Sequence, residues 1–554
     1  MDQSDSPDAA LSFRNAEAAA ARGDFKAAFR DSLMALALDP SLDRHRQLAL
    51  NYLRVAAGYR SLPDAVQRAL EQCALDDGLD LQPLAMVVRE TLGRDKRLEQ
   101  VEHILKSGAR ATEAAIESGE LSWFLSHKLL LAVLVRAINI DVRIEDILTS
   151  LRRHTALWYG ETSKLGALPE NYPDFVAALA VQAHHAGFPW AEVRTERDIL
   201  SRAAIDPAAA VLTVMYRPVE NLHPAHAALL PGALVTLSEM RTRLAQAARN
   251  LPTITTIDDD TSRRIANQYE QYPYPPWDAP SRSRAADPIW ASALLDAEHR
   301  PDGFPTVTEK PLQILIAGCG TGLGAVETAL AAPRAEIIGF DLSRTSLAYA
   351  AEKAARFAPG RITFGVGDIL NLDTRSDGRW FDLIECSGVL HHMADPALGL
   401  AALARALRPG GLMKIALYSE RGRSAVIAAR KWIEALGWRG VPAGVRGARK
   451  ALLALPHDHP ARPVTEMIDF FSLDATHDLL FNAVEHRYSP MGIGEMLKSA
   501  GLEFVQFEVP MMLANHSALP RGNDAGKFAA WETFEKAHPS AFTEMFQFWC
   551  RKPL

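Results

Sequence analysis

ILIAGCGTGLG, residues 314–324, decides the fold. The apolar run from Ile314 to Ala317 gives way to Gly318, Gly320, Gly322 and Gly324, and residues 325–331 then have the spacing of a helix. A strand, a glycine turn and a helix in that order open a parallel sheet wound with helices. Glycine suits the turn because it is tight and because a ligand must approach the backbone with no Cβ in between. Nucleotide-binding dehydrogenases use such turns too. Their GxGxxG fingerprint, started at Gly318, would put glycine or alanine where this chain has Leu323, and the series here is GxGxGxG.

Outward from the turn, short apolar runs alternate with helical patterns. They predict strands at 313–317, 336–340, 362–366, 381–386 and 412–418, with two further strands at 502–509 and 545–551. The second strand ends in GFDLS, which puts Asp341 where an acid accepts both hydroxyls of a ribose, a feature common to both cofactor classes. The third leads to GVGDIL and Asp368, at the carboxyl edge of the sheet. The fourth runs through FDLIECSGVLHHMADP and sets Glu385, Cys386, Ser387, His391 and His392 at or beyond that edge, where doubly wound folds bind ligands. In LRPGGLMKIALY, Pro409, Gly410 and Gly411 turn a helix into the fifth strand.

The order GCGTG, FDLS, GDIL, FDLIECSGVLHHM, LRPGG resembles class I S-adenosylmethionine-dependent methyltransferases, especially those of quinone biosynthesis. The resemblance covers residues 312–418 and, more loosely, the last strands. It implies a Rossmann-like α/β fold with a mainly parallel sheet and S-adenosyl-L-methionine as cofactor. It further implies that Gly318, Gly320 and Gly322 contact the methionine part, Asp341 with Leu342 the ribose, and Asp368 with Ile369 the adenine, with Glu385 also lining the cofactor site. One departure stands out: family members usually carry Asp or Glu two residues before the first glycine, and here that position is Ile316.

For an acceptor that must lose a proton, His391, His392 and Glu385 are the nearest bases, His391 first. The other reading of the histidine pair is that it shapes the loop or satisfies backbone hydrogen bonds. Between Arg421 and Lys450 there are eight Lys or Arg against one acid, Glu434, with Trp432 and Trp438 interleaved. This stretch reads either as a grip for an acidic protein segment, a phosphorylated or nucleotide-linked substrate or a membrane surface, or as a solvated amphipathic helix face. Further on, DLLFNAVEHRYS carries Glu485 and His486 on a short strand or helix. No metal-ligand spacing is present, so no metal site is predicted.

Residues 11–240 are rich in Ala, Leu and Arg at helical spacing. Ala16, Gly23, Phe25, Ala28, Ala35 and Pro40 fall where a tetratricopeptide repeat has small, aromatic and terminating residues, while the plainer reading is a helical hairpin with alanines in its seam. The whole chain thus resembles bacterial proteins that join a tetratricopeptide-type region to such a methyltransferase domain. Between the halves, IANQYEQYPYPPWDAP has prolines that deny a continuous helix, and Tyr269, Tyr272, Tyr274 and Trp277 make it too aromatic for a flexible linker. It reads either as a cover for the cofactor pocket or as an inter-domain strap. The expected organisation is an all-α tetratricopeptide-like domain at 1–250, a junction at 251–311, and a methyltransferase domain at 312–554 with a basic insertion at about 420–488.

The whole-chain numbers agree with such an enzyme. At 554 residues the chain exceeds a single core, and 48% apolar with 23% charged residues suits folded domains. A net charge of −7 offers no general attraction to nucleic acid. Cys73, Cys319, Cys386 and Cys550 are dispersed, the N-terminus MDQSDSPDAA is no secretory signal, and the apolar run 129–135 is too short to span a bilayer, which together point to a cytoplasmic location. The preferred reading is methyl transfer to a protein or peptide recruited by the helical half. A small-molecule or lipid-linked acceptor, and a non-catalytic adaptor that keeps the fold, are the alternatives.

Overall fold

The computed structural model describes residues 7–53, 59, 61–219, 230, 232–271, 276–280, 311–372, 380–509, 513, 516–522, 526–543 and 545–554. Tyr272 and Tyr274, with the stretch at 281–310, lie outside the described residues. The chain divides into two compact units. One comprises Met1–Arg243, Gly437–His457 and Pro463–Thr476; the other comprises Leu244–Leu436, Asp458–Arg462 and His477–Leu554.

The described part of the first unit is helical. Its opening helices, Pro7–Ala21 and Phe25–Leu38, are joined by a tight turn in which Gly23 has φ +75°. Asp24 caps the second by accepting from the Ala27 amide, and Ala16, Ala28 and Ala35 are wholly buried. Small side chains at those spacings let the two helices approach closely. The apolar run 129–135 becomes the nine-residue helix Lys128–Arg136, with Leu129, Leu130, Val133 and Leu134 buried in the unit's core. No helix among the described residues is long and apolar enough to cross a membrane.

The second unit is built on a seven-stranded sheet: β1 (Gln313–Ala317), β2 (Glu336–Asp341), β3 (Ile362–Val366), β4 (Phe381–Ser387), β5 (Leu407–Leu417), β6 (Glu503–Glu508) and β7 (Phe546–Arg551), in the order β3-β2-β1-β4-β5-β7-β6. β1 to β5 are parallel and β7 is antiparallel to both neighbours. The parallel strands read as near-continuous apolar runs because both faces are covered. Leu315, Ala317, Ile384, Cys386, Met413 and Ile415 fill one face, and Ile314, Ile316, Leu383, Leu412 and Trp549 the other. The order reverses between β1 and β4, and ligands bind at such a switch point, beyond the carboxyl ends of the strands.

Two departures from the expected strands have physical causes. β5 starts at Leu407 rather than 412, because Phe381 pairs with Leu407 and Leu383 with Leu412, so the Pro-Gly-Gly stretch is held in a bulge between them. The C-terminal tail closes that bulge: the Gly410 amide donates to Lys552 O at 2.9 Å and the Lys552 amide to Gly411 O at 3.0 Å. At the β3 edge of the sheet, Thr253 bridges to Val366 in parallel, the Ile254 amide donates to Val366 O at 2.7 Å, and the Val366 amide to Pro252 O at 2.8 Å. The outer side of β3 is thereby paired at its carboxyl end.

Candidate functional site

The glycine turn at the end of β1 is held by backbone. The amides of Gly318 and Cys319 donate to Phe340 O at 2.8 and 3.0 Å, tying the turn to β2. Gly318, Gly320 and Gly322 have φ of +69°, +51° and +85°, the left-handed region that glycine enters without a Cβ penalty. A Cβ on Gly318 would stand 2.4 Å from Val389 Cγ2, and one on Gly322 would stand 2.5 Å from Ala350 Cβ. Asp341, at the end of β2, accepts from the Gly320 amide at 2.8 Å and the Ser343 amide at 2.9 Å. Burial raises its carboxyl above the ordinary aspartate range, against the pull of the Ser343, Gly320 and Leu342 amides.

Asp368 caps the short turn Ile369–Asn371 after β3. Its Oδ1 accepts from the Leu370 amide at 3.0 Å, while Oδ2 is buried with no hydrogen-bond partner among the described residues. Thr255 fixes the Asp368 backbone, accepting from its amide at 2.6 Å and donating to its carbonyl at 3.0 Å. A buried carboxylate oxygen without a donor is costly unless something supplies one. These residues fit an adenosyl cofactor: a backbone cradle with no room for side chains, a carboxylate at the second strand, and an orphan acceptor beside apolar Ile369 at the third.

Ile316 is aligned across the β1–β4 ladder with Glu385, so the two side chains leave the same face of the sheet on neighbouring strands. The carboxylate missing at Ile316 therefore has an acid one strand away. Glu385 is buried and accepts from Thr328 Oγ1 of the helix Leu323–Ala331 at 3.4 Å.

His391 and His392 lie on the short turn Leu390–His392 beyond β4, and both are buried. His391 stacks on Tyr418 with ring centroids 3.9 Å apart, and the Arg423 guanidinium sits 3.6 Å from the centre of the same ring. At those distances the two occupy opposite faces, so Tyr418 is sandwiched. Neither ring nitrogen of His391 has a hydrogen-bond partner among the described residues. Burial first, then His392, Arg423 and His486, hold His391 well below the ordinary histidine range, so its imidazole is neutral at pH 7. His392 is also lowered by burial, and its Nδ1 lies 2.8 Å from Val484 O.

Glu485 and His486 lie in an extended segment rather than a strand or helix, and the fold brings them to the histidine pair. The His486 amide donates to His391 O at 2.8 Å, and Arg423 Nη2 donates to Glu485 Oε2 at 2.8 Å. The basic stretch is divided between the units, and most of its cations are committed to partners within the unit each belongs to. Arg421 pairs with Glu532 and Glu535, Arg423 and Arg430 with Glu485, Arg449 with Glu145, and Arg446 donates to Phe188 O; Lys431, Arg439 and Lys450 are exposed. Among the described residues no group of three or more His, Cys, Asp or Glu is placed to hold a metal ion.

The junction contributes more than its aromatic composition suggested. The helix Asp260–Gln271 carries Tyr269, whose hydroxyl donates to Asp478 Oδ1 at 2.7 Å, and Glu270, whose carboxylate accepts from the amides of Arg344 and Thr345 and from Thr345 Oγ1. Trp277 Nε1 donates to Thr321 O of the glycine turn at 2.9 Å, and its ring packs on Tyr349 and Phe357. Thr255, Glu270 and Asp478 carried no sequence signal, since each meets a partner remote in the chain.

This fold and this edge of the sheet are those of a doubly wound α/β domain, and part of the second unit matches a methyltransferase family. Residues 308–435 match the family model described as a methyltransferase domain. The chain is 31% identical over 271 residues to an uncharacterized protein of Synechococcus sp., covering 45% of this chain and 61% of that one. It is 30% identical over 134 residues to a ubiquinone biosynthesis O-methyltransferase of Idiomarina loihiensis, covering 24% of this chain and 52% of the relative. It thus spans less than two thirds of either relative. Among solved structures, PKMT2 from Rickettsia typhi aligns at 16% identity with a TM-score of 0.38, covering 50% of this chain and 54% of that one.

Proposed function

We propose that the chain transfers a methyl group from S-adenosyl-L-methionine to an acceptor held beyond the carboxyl edge of β4 and β5. The observation that carries this reading is the orphan Oδ2 of Asp368, set with the glycine turn and Asp341 along one sheet edge. When bound, S-adenosylmethionine supplies a methyl group activated on a sulfonium. In this reading Gly318, Gly320 and Gly322 hold its methionine part, Asp341 and Leu342 its ribose, and Asp368 and Ile369 its adenine. Glu385, one strand from Ile316, supplies the carboxylate for the ammonium. The buried surroundings exclude water and keep a nucleophile in line. His391, whose ring nitrogens have no hydrogen-bond partner among the described residues, accepts the acceptor's proton where one must leave, beside His392, which is fixed on Val484 O.

For the acceptor, the reading favoured from the sequence is a protein or peptide recruited by the helical unit, in a cytoplasmic setting. A second reading, a small-molecule oxygen acceptor, draws support from the ubiquinone O-methyltransferase among the relatives. Calorimetry on the full chain with S-adenosylmethionine and S-adenosylhomocysteine tests the donor. Binding of both is expected, and no binding of either would leave only the adaptor reading. Incubation with methyl-labelled donor and fractionated lysate tests the acceptor: label confined to small molecules would sink the protein reading.

A further inference from the structure

Tyr269 and Glu270 are consecutive residues at the end of the helix Asp260–Gln271, and they reach two different parts of the site. Glu270 binds the first amides of the helix Arg344–Phe357, directly after Asp341, Leu342 and Ser343. A carboxylate there meets orphan backbone donors and the positive end of the helix dipole, so the tie is firm. Tyr269 reaches the other way. Its hydroxyl donates to Asp478 Oδ1, which also accepts from Asn482 Nδ2 at 2.9 Å. Two residues after Asn482, Val484 O holds His392 Nδ1, and the His486 amide holds His391 O. Arg430 braces the same segment by donating to Asn482 O at 2.7 Å.

We propose that Tyr269 is a positioning residue that transmits occupancy of the cofactor side, through Asp478 and Asn482, to the segment that holds His391 and His392. Neighbouring Cα atoms are fixed about 3.8 Å apart, so the two side chains start from one piece of helix, and order that Glu270 imposes on that backbone is shared by Tyr269. Burial and the nearby Asp478, Tyr418 and Asp341 hold the phenol well above its ordinary range, so it remains a donor throughout the working pH range. Ligand contacts around Asp341 and Leu342 stiffen the Glu270 tie, and the Tyr269 hydrogen bond carries that order to 478–486. The inference rests on the cofactor reading above.

Hydrogen exchange on the full chain, with S-adenosylhomocysteine as the probe, tests it. In the wild type, ligand is expected to slow exchange at 341–346 and also at 478–488. In Tyr269→Phe, affinity for the probe stays within about five-fold and protection at 341–346 persists, but the ligand-dependent change at 478–488 is lost. A purely structural role would speed exchange at 478–488 in both states alike and leave the ligand-dependent difference intact, which would overturn the proposal. Glu270→Gln should break the relay from its other end, so the idea stays testable if Tyr269→Phe folds poorly. Probe binding with no change at 478–488 in the wild type sinks this proposal alone, whereas no probe binding sinks the cofactor reading with it.

Discussion

Asp368 shows how much a single side chain carries. Its Oδ1 serves the fold by capping Leu370, and its buried Oδ2 serves nothing among the described residues. Asp368→Asn separates the two roles, because the amide oxygen keeps the cap while a donor replaces the orphan acceptor. The unliganded protein is expected to be as stable or more so, since a buried carboxylate loses its charge. Affinity for S-adenosylhomocysteine is expected to fall by about 1–3 kcal/mol, the cost of unmatching a buried hydrogen bond to the adenine amino group. Thermal melting with calorimetry reads both, and a parallel loss of stability and affinity would refute the division. The placement of Asp368, Asp341 and the glycines along the sheet edge was legible because each sits at or just beyond a strand end in the sequence. Thr255 and Glu270 were not, since a threonine 113 residues from Asp368 acquires meaning only when Pro252 and Ile254 pair along β3.

At the scale of elements, the helix Leu323–Ala331 crosses the helix Arg344–Phe357 at Gly322, where a Cβ would fall 2.5 Å from Ala350 Cβ and 2.9 Å from Ala350 Cα. Gly322→Ala incurs both the left-handed penalty at φ +85° and a clash with a neighbouring helix. The expected cost is about 2–4 kcal/mol in denaturant unfolding. Gly388→Ala is the control: φ is +76° but nothing lies within 4 Å of the added Cβ, so about 1 kcal/mol is expected. Equal costs would show that backbone strain alone governs the turn. The five parallel strands were readable because burial on both faces makes each a continuous apolar run. The bulge at 408–411 was not, because its pairing depends on Lys552, far along the chain.

For the whole molecule, the helical unit is not contiguous in sequence: Gly437–His457 and Pro463–Thr476, both after β5, belong to it. Composition places those residues beside the methyltransferase motifs; what assigns them to the helices is contact made across a long stretch of chain. Arg449 donates to both oxygens of Glu145 at 3.0 and 2.9 Å, to Pro189 O at 3.0 Å and to Phe470 O at 2.7 Å, and it is 3% exposed. The Leu473 amide likewise donates to Ala186 O at 2.7 Å. A fragment ending at Arg243 lacks Arg449, Phe470 and Leu473 and leaves Glu145 without its cation. In the full chain, Arg449→Met isolates the ion pair from the missing polypeptide. It is expected to cost about 3–5 kcal/mol, most of it the penalty of an uncompensated carboxylate. Pairing it with Glu145→Leu should then recover much of the loss, because two apolar side chains leave no buried charge to compensate. Thermal unfolding with and without S-adenosylhomocysteine separates the units, since a ligand of the sheet unit raises only that unit's transition. If the double variant is no more stable than Arg449→Met, the pair's bonds to Pro189 and Phe470, rather than its charge balance, are what hold these late segments in the helical unit.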